Sequence, residues 1–168
     1  MNASPQDALD FILREHQRQR QAFVMLEEVA AGDAYDASLL ASLAEFIRFD
    51  LTLHVIDEEE DFFPLLRQRC LPEDDIAPIL DQMQAEHAED RRLAQQVRDV
   101  LRQALVSRQP VKAIAGGPET LRSFAEHQKR HLVMENAVLA PFARKRLTQE
   151  DLHYLADRFA ARRGTAAA

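Results

Sequence analysis

The stretch His54-Val55-Ile56-Asp57-Glu58-Glu59-Glu60-Asp61-Phe62-Phe63-Pro64, HVIDEEEDFFP, has a counterpart in HLVMENAVLAP, His131 to Pro141. The two share a histidine at the first position, a glutamate at the fifth and a proline at the eleventh, and almost nothing else. In a helix, residues four apart differ by about 40° and sit one turn above each other, so His54 projects with Glu58 and His131 with Glu135. Both pairs continue an apolar stripe, Leu40, Leu43 and Ile47 before the first, Leu121 and Phe124 before the second. That stripe is the face a helix turns toward a core. A glutamate there is expensive to bury unless it is paired or holds a metal.

Working outward, apolar residues recur at helical spacing through most of the chain, with no sustained period-two run. A first helix is predicted to open near Ser4-Pro5 and to end around Gly32, with Leu9, Ile12, Leu13, His16, Phe23 and Val24 on its inner face. The second starts near Asp36 or Ser38 and is expected to bend or end at Pro64. Pro72-Glu73-Asp74-Asp75 reads as the acidic start of a third, whose stripe is Ile76, Leu80, Met83, His87, Ala94, Val97 and Leu101. After a turn at Ser107 to Pro110, Gly116-Gly117-Pro118 opens the fourth, with residues 111–115 left between. Thr148 reads as the cap of a short last helix reaching about Arg163, followed by a fraying tail from Gly164. The expected fold is all-α: an antiparallel up-down four-helix bundle with a short additional C-terminal helix.

The repeat covers both halves. His16 and His87, each directly after a glutamate (Glu15, Glu86), lie 71 residues apart, and the two His-x-x-x-Glu pairs lie 77 apart. Each half thus offers one histidine on its first helix and a His-Glu pair on its second. A duplicated hairpin explains repeated apolar positions, yet here the apolar positions drifted and the polar ones match. Four imidazoles and two carboxylates at a bundle centre suit a pair of transition-metal ions with the carboxylates bridging.

His127, one turn before His131, reaches the same space, as an additional metal ligand or as a hydrogen-bond partner to one; its counterpart in the first half is Asp50. Within the acidic run, Glu58 lies about 40° from His54 and Asp61 about 20°, which makes Asp61 a reserve ligand; Glu59 and Glu60 are expected to face solvent. His153 has no partner in the pattern. Phe62, Phe63 and Leu139, like Phe11, Phe23, Phe46, Phe49 and Phe124, suit core packing before they suit the wall of a ligand pocket.

The chain has 168 residues, 46% hydrophobic and 29% charged, which fits one domain rich in helix formers. A formal charge of −7 argues against nucleic acid as a main partner. The basic patch Arg144-Lys145-Arg146 sits where cations complement a helix dipole. No run is long and apolar enough for a membrane span, and the N-terminus lacks the basic and apolar regions of a secretion signal. A single cysteine, Cys70, suits a reducing cytoplasm.

With EH at His16, HVIDE then EEDFFP, EH again at His87, and HLVME then NAVLAP, the sequence resembles the hemerythrin-like HHE cation-binding family over about residues 9 to 142. The resemblance implies that residues 1–168 are one hemerythrin-like domain, bundle about 5–145 and terminal helix about 149–163. It implies a non-haem di-iron centre, two Fe ions with bridging carboxylates and a bridging oxygen species. His16 and His54 would hold one iron, His87 and His131 the other, and Glu58 and Glu135 would bridge them. The chain departs from the oxygen-carrying members: Arg91 occupies the place of a further third-helix histidine, and the last carboxylate is a glutamate four residues after its histidine. His127 could supply the nitrogen that Arg91 does not. The ligand types also suit zinc or manganese.

The expected function is therefore binding: a di-iron site that engages or senses O2, NO or a peroxide-type ligand, or handles iron. The alternatives are an enzyme using the same centre for peroxide or NO turnover or for iron–sulfur cluster repair, and a metal-free helical interaction domain with buried His–Glu pairs.

Overall fold

A computed structural model describes residues 8–164. Among these there is no strand; the chain forms five helical rods. They are α1 (Ala8–Ala31), α2 (37–69), α3 (Ala77–Ser107), α4 (117–146) and α5 (Gln149–Arg162). The predicted opening at Ser4-Pro5 and the tail beyond Gly164 lie outside the described residues. Asp36 caps α2, accepting from the Leu39 N–H at 3.0 Å. Thr148 and Asp151 form the reciprocal cap of α5. Residues 111–115 stay out of α4: Val111–Ala113 make a 3-10 turn, and Gly116 takes the left-handed conformation (φ 69°) that reverses the chain into the helix. The acidic segment Pro72–Asp74 is likewise a 3-10 turn, and α3 starts only after left-handed Asp75.

Neither repeat proline ends its helix. In α2 the turn Glu58–Phe62 is a π-turn closed by the Phe63 N–H donating to the Glu58 carbonyl. In α4 the turn Glu135–Leu139 is the same, closed by Ala140 on Glu135. Pro64 and Pro141 follow directly, each at the position where its missing N–H lets the ladder widen by one residue and then resume. A further π-turn, Phe46–Asp50, lies earlier in α2 without a counterpart in α4.

Contacts run from α1 to α4, α4 to α3, α3 to α2 and α2 back to α1. Two apolar clusters fill the interior. The first includes Phe23, Leu26, Leu43, Leu101, Leu121 and Phe124; the second includes Leu9, Ile12, Phe63, Leu66, Leu80, Met83, Leu139 and Phe159. α1 and α3 pass from the second cluster to the first, whereas α2 and α4 pass from the first to the second. On all four rods the histidines and glutamates of the repeat fall between the clusters. α5 covers the second cluster through Leu155 and Phe159.

Some predicted inner positions face outward. Val24 is 44% exposed, and Phe49 is 48% exposed with the Arg48 guanidinium 4.8 Å above its ring. The basic patch is engaged by carboxylates: Arg146 grips Asp74 at 2.6 and 2.7 Å, and Arg144 approaches Asp10.

Candidate metal centre

The polar layer between the clusters brings together His16 from α1, His54 and Glu58 from α2, His87 from α3, and His131 and Glu135 from α4. All six are at least 95% buried. Their ligand atoms form two groups, His16, His54, Glu58 and Glu135, and Glu58, His87, His131 and Glu135, each with all atoms within 4.8 Å of one another. The four imidazoles turn Nε2 inward. Glu58 Oε1 stands 3.6 Å from His54 Nε2 and its Oε2 3.3 Å from His87 Nε2. Glu135 Oε2 stands 3.3 Å from His16 Nε2 and its Oε1 2.7 Å from His131 Nε2. Each carboxylate thus gives one oxygen to each histidine pair.

Outer acceptors set the ring tautomers. Asn136 donates its amide nitrogen to the Leu132 carbonyl at 2.6 Å, which leaves its Oδ1 facing His16 Nδ1 at 3.1 Å. A carbonyl oxygen only accepts, so His16 carries its proton on Nδ1 and presents a lone pair at Nε2. Glu59 accepts from His87 Nδ1 at 3.1 Å, and Glu86 from His131 Nδ1 at 2.8 Å. Glu59 is therefore not the solvent-facing residue that helical angles predicted; it also meets Arg91. Glu59 and Asn136 occupy the same place in the repeat, each the residue after its glutamate. Glu86 precedes His87 as Glu15 precedes His16, but Glu15 is taken by Arg18 at 2.7 Å. The signal for these partners was present in the repeat, one residue beyond the motif.

His127 and Asp61 do not join the cluster. His127 Nε2 lies 2.7 Å from the Asp90 carboxylate, one-quarter exposed. Asp61 turns toward α5, where Arg158 holds it at 3.0 Å and Arg162 also bonds it. The angular reading of Asp61 assumed regular α geometry; the π-turn advances less per residue and swings Asp61 off the central stripe, with Phe62 and Phe63 buried behind it. Phe63 stacks on the His87 ring, centroids 5.7 Å apart and planes within 8°. Phe62, Phe63 and Leu139 are core residues of the second cluster.

Burial and the facing carboxylates and imidazoles set the electrostatics of the layer. Burial, and next the neighbouring His16, hold His54 well below the usual imidazole range. Burial and then the facing Glu135 push Glu58 well above the usual carboxyl range. Glu135 goes the other way: burial is outweighed by His131 and the other imidazoles, which keep it ionised. His131 is raised to about 10, burial being overcome by Glu135, Glu58 and Glu86. Both oxygens of Glu58 and Glu135, and Nε2 of His16 and His54, are buried without a hydrogen bond. Leaving such atoms unsatisfied costs about 1–3 kcal/mol each, more for charged groups. Cations between the carboxylates would satisfy all six, so the donor set fits a metal.

Four inward imidazole Nε2 atoms, three of the rings oriented through Nδ1, with two carboxylates spanning them inside a helical core, define a protein of the His/carboxylate metal-binding helical class. The model of the hemerythrin HHE cation-binding domain matches residues 7–143, and the chain belongs to that family. No curated protein matches the chain.

Proposed function

We propose that the protein is a non-haem di-iron protein, its four long rods an antiparallel up-down bundle, that binds or senses O2, NO or a peroxide-type ligand. His16 and His54 would hold one iron and His87 and His131 the other, with Glu58 and Glu135 bridging. The observation that carries this reading is the pair of buried carboxylates, each facing one histidine pair with each oxygen and bonded to nothing else. The alternating passage of the rods between the two apolar clusters supports the antiparallel arrangement. Family membership favours iron over zinc or manganese.

Two iron ions, when bound, supply a redox-active centre with open positions for a small ligand. The chain supplies the rest. Asn136, Glu59 and Glu86 hold the Nδ1 protons of His16, His87 and His131, fixing ring orientation. The apolar clusters above and below shield the layer along the bundle axis. A cytoplasmic location belongs to the same reading, with the lone Cys70 as its support; no helix of the described residues is long and apolar enough to cross a membrane.

Anaerobic titration of metal-free protein with Fe(II) tests the reading. Saturation at two equivalents per chain, followed by an absorption change on adding NO or O2, is the expected result. Saturation at one equivalent or none, or tighter uptake of Zn(II) with no response to gas, would overturn it. Stoichiometric rather than repeated consumption of peroxide or NO separates a binding protein from an enzyme.

A further inference from the structure

A cavity of about 370 Å³ opens between α2 and α3 and reaches the histidine layer at His54, His87 and His131. It is far larger than a diatomic ligand needs and lies in the range of pockets for small organic molecules. Its walls carry apolar Ile47, Leu51, Val55 and Ala94 beside polar Thr52, Glu59, Asp90 and Gln95. Polar groups also mark its ends. On the inner side Gln19, 98% buried, and Gln128, 97% buried, each carry an amide nitrogen that has no hydrogen-bond partner. On the outer side stands Arg98, half-buried; among the described residues no carboxylate pairs with it, and its one hydrogen bond goes to Gln95 at 3.4 Å. The other arginine of the lining, Arg91, is already engaged by Glu59. The rise along α3 from His87 to Arg98 is about 16 Å, and the arginine side chain can cover part of it.

We propose that this cavity binds a medium-chain organic acid whose carboxylate meets Arg98, whose apolar body lies against Ile47, Leu51, Val55 and Ala94, and whose far end offers an oxygen to the Gln19 amide beside the metal layer. An unpaired guanidinium selects an anionic head, and a buried unpaired N–H selects an acceptor over a methyl group. An apolar end at either side would leave the group there unsatisfied. The proposal rests on the metal reading only in placing the acid's far end against the iron ligands; the cavity itself is formed by the chain alone.

The test compares 8-hydroxyoctanoate, octanoate and 1,8-octanediol by titration against metal-free and iron-loaded protein. Calorimetry serves both forms, and methyl NMR shifts of Ile47, Leu51 and Val55 report the site in the metal-free form. The hydroxy acid is expected to bind saturably and about tenfold more tightly than either single-ended probe. Arg98→Gln should erase the preference over the diol, while Arg98→Lys keeps part of it. Gln19→Met, of similar volume, should reduce the preference over octanoate. No saturable binding, equal binding of the three probes, or preferences unchanged in Arg98→Gln and Gln19→Met would each overturn the proposal. Iron stoichiometry is measured separately, so binding by metal-free protein that takes up no iron would uphold the cavity and reject the metal reading.

Discussion

Arg162 on α5 is the residue whose removal best tests how the carboxylate of α2 is held. Its guanidinium bonds Asp57 at 2.7 Å and Glu60 at 2.9 Å, and also reaches Asp61. Asp57 and Asp61 bracket Glu58 in the π-turn, and both side chains are 98% buried, whereas Glu60 is 61% exposed. Breaking a buried pair from one side costs about 3–5 kcal/mol because a charge is left without its partner. Here Asp57 keeps Arg163 at 2.7 Å and Asp61 keeps Arg158 at 3.0 Å. Arg162→Ala should therefore cost about 2–3 kcal/mol, at or below the low end of that range. For a chain of this size the loss corresponds to about 4–12 °C in melting temperature. Metal-free protein, followed by circular dichroism on heating, keeps bound metal out of the measurement. Burial pushes the Asp57 carboxyl up, with Arg163 and Arg162 pulling against it. A carboxyl raised in the folded state contributes stability at acid pH that is lost as pH rises through its folded value. Removing Arg162 raises that value further, so the deficit of Arg162→Ala should be larger near pH 7 than near pH 4. Asp57→Asn with Asp61→Asn should cost less in the Arg162→Ala background than in the unaltered protein, because only the Arg163 and Arg158 pairs remain to be broken. A deficit under about 0.5 kcal/mol, or an equal cost of the two aspartate changes in both backgrounds, would refute the reasoning, since an exposed pair contributes only about 0.2–1 kcal/mol.

Three further outcomes follow from the site. Glu58→Ala and Glu135→Ala should each lose most of the iron taken up in an anaerobic titration, while exposed Glu60→Ala keeps it; equal losses in all three would sink the assignment. Glu86→Ala removes the acceptor on His131 Nδ1 and should weaken metal binding about 10- to 100-fold in chelator competition, against no change for Glu89→Ala, whose side chain pairs with Arg92. His127→Ala should leave iron stoichiometry intact but lower stability by about 1–3 kcal/mol in thermal unfolding, because it deprives the buried Asp90 of its partner; a lost iron would make His127 a ligand after all.

The helices and the six residues of the polar layer were legible because each rests on a local rule: apolar period, capping residues, and a histidine followed one turn later by a glutamate. The tautomer-setting partners were half legible. Glu59 and Asn136 match in the repeat, yet nothing local says that each reaches a histidine on another helix. The place of His127 was not legible for a similar reason, since Asp90 becomes its neighbour only when α3 and α4 pack. The cavity between α2 and α3 is likewise a product of packing and leaves no mark in either helix alone.

The proline shows most clearly what spacing can and cannot say. Read locally, a proline ten residues past a histidine ends or bends a helix. In the fold it follows the residue whose N–H reaches back five positions to the glutamate carbonyl, so glutamate and proline are the two ends of one device. A continuous α-helix would set Asp61 on the stripe after Glu58 and send a third carboxylate into a layer where Glu58 already faces Glu135. The wider turn places Phe62 and Phe63 in the core instead and gives Asp61 to the arginines of α5. The same turn at Glu135 leads to Leu139. The acidic block of HVIDEEEDFFP is thereby divided among different tasks. Glu58 faces the centre, Glu59 holds His87, and Asp57, Glu60 and Asp61 tie α2 to α5. A run of five acids can sit beside the histidine layer because only one of them enters it.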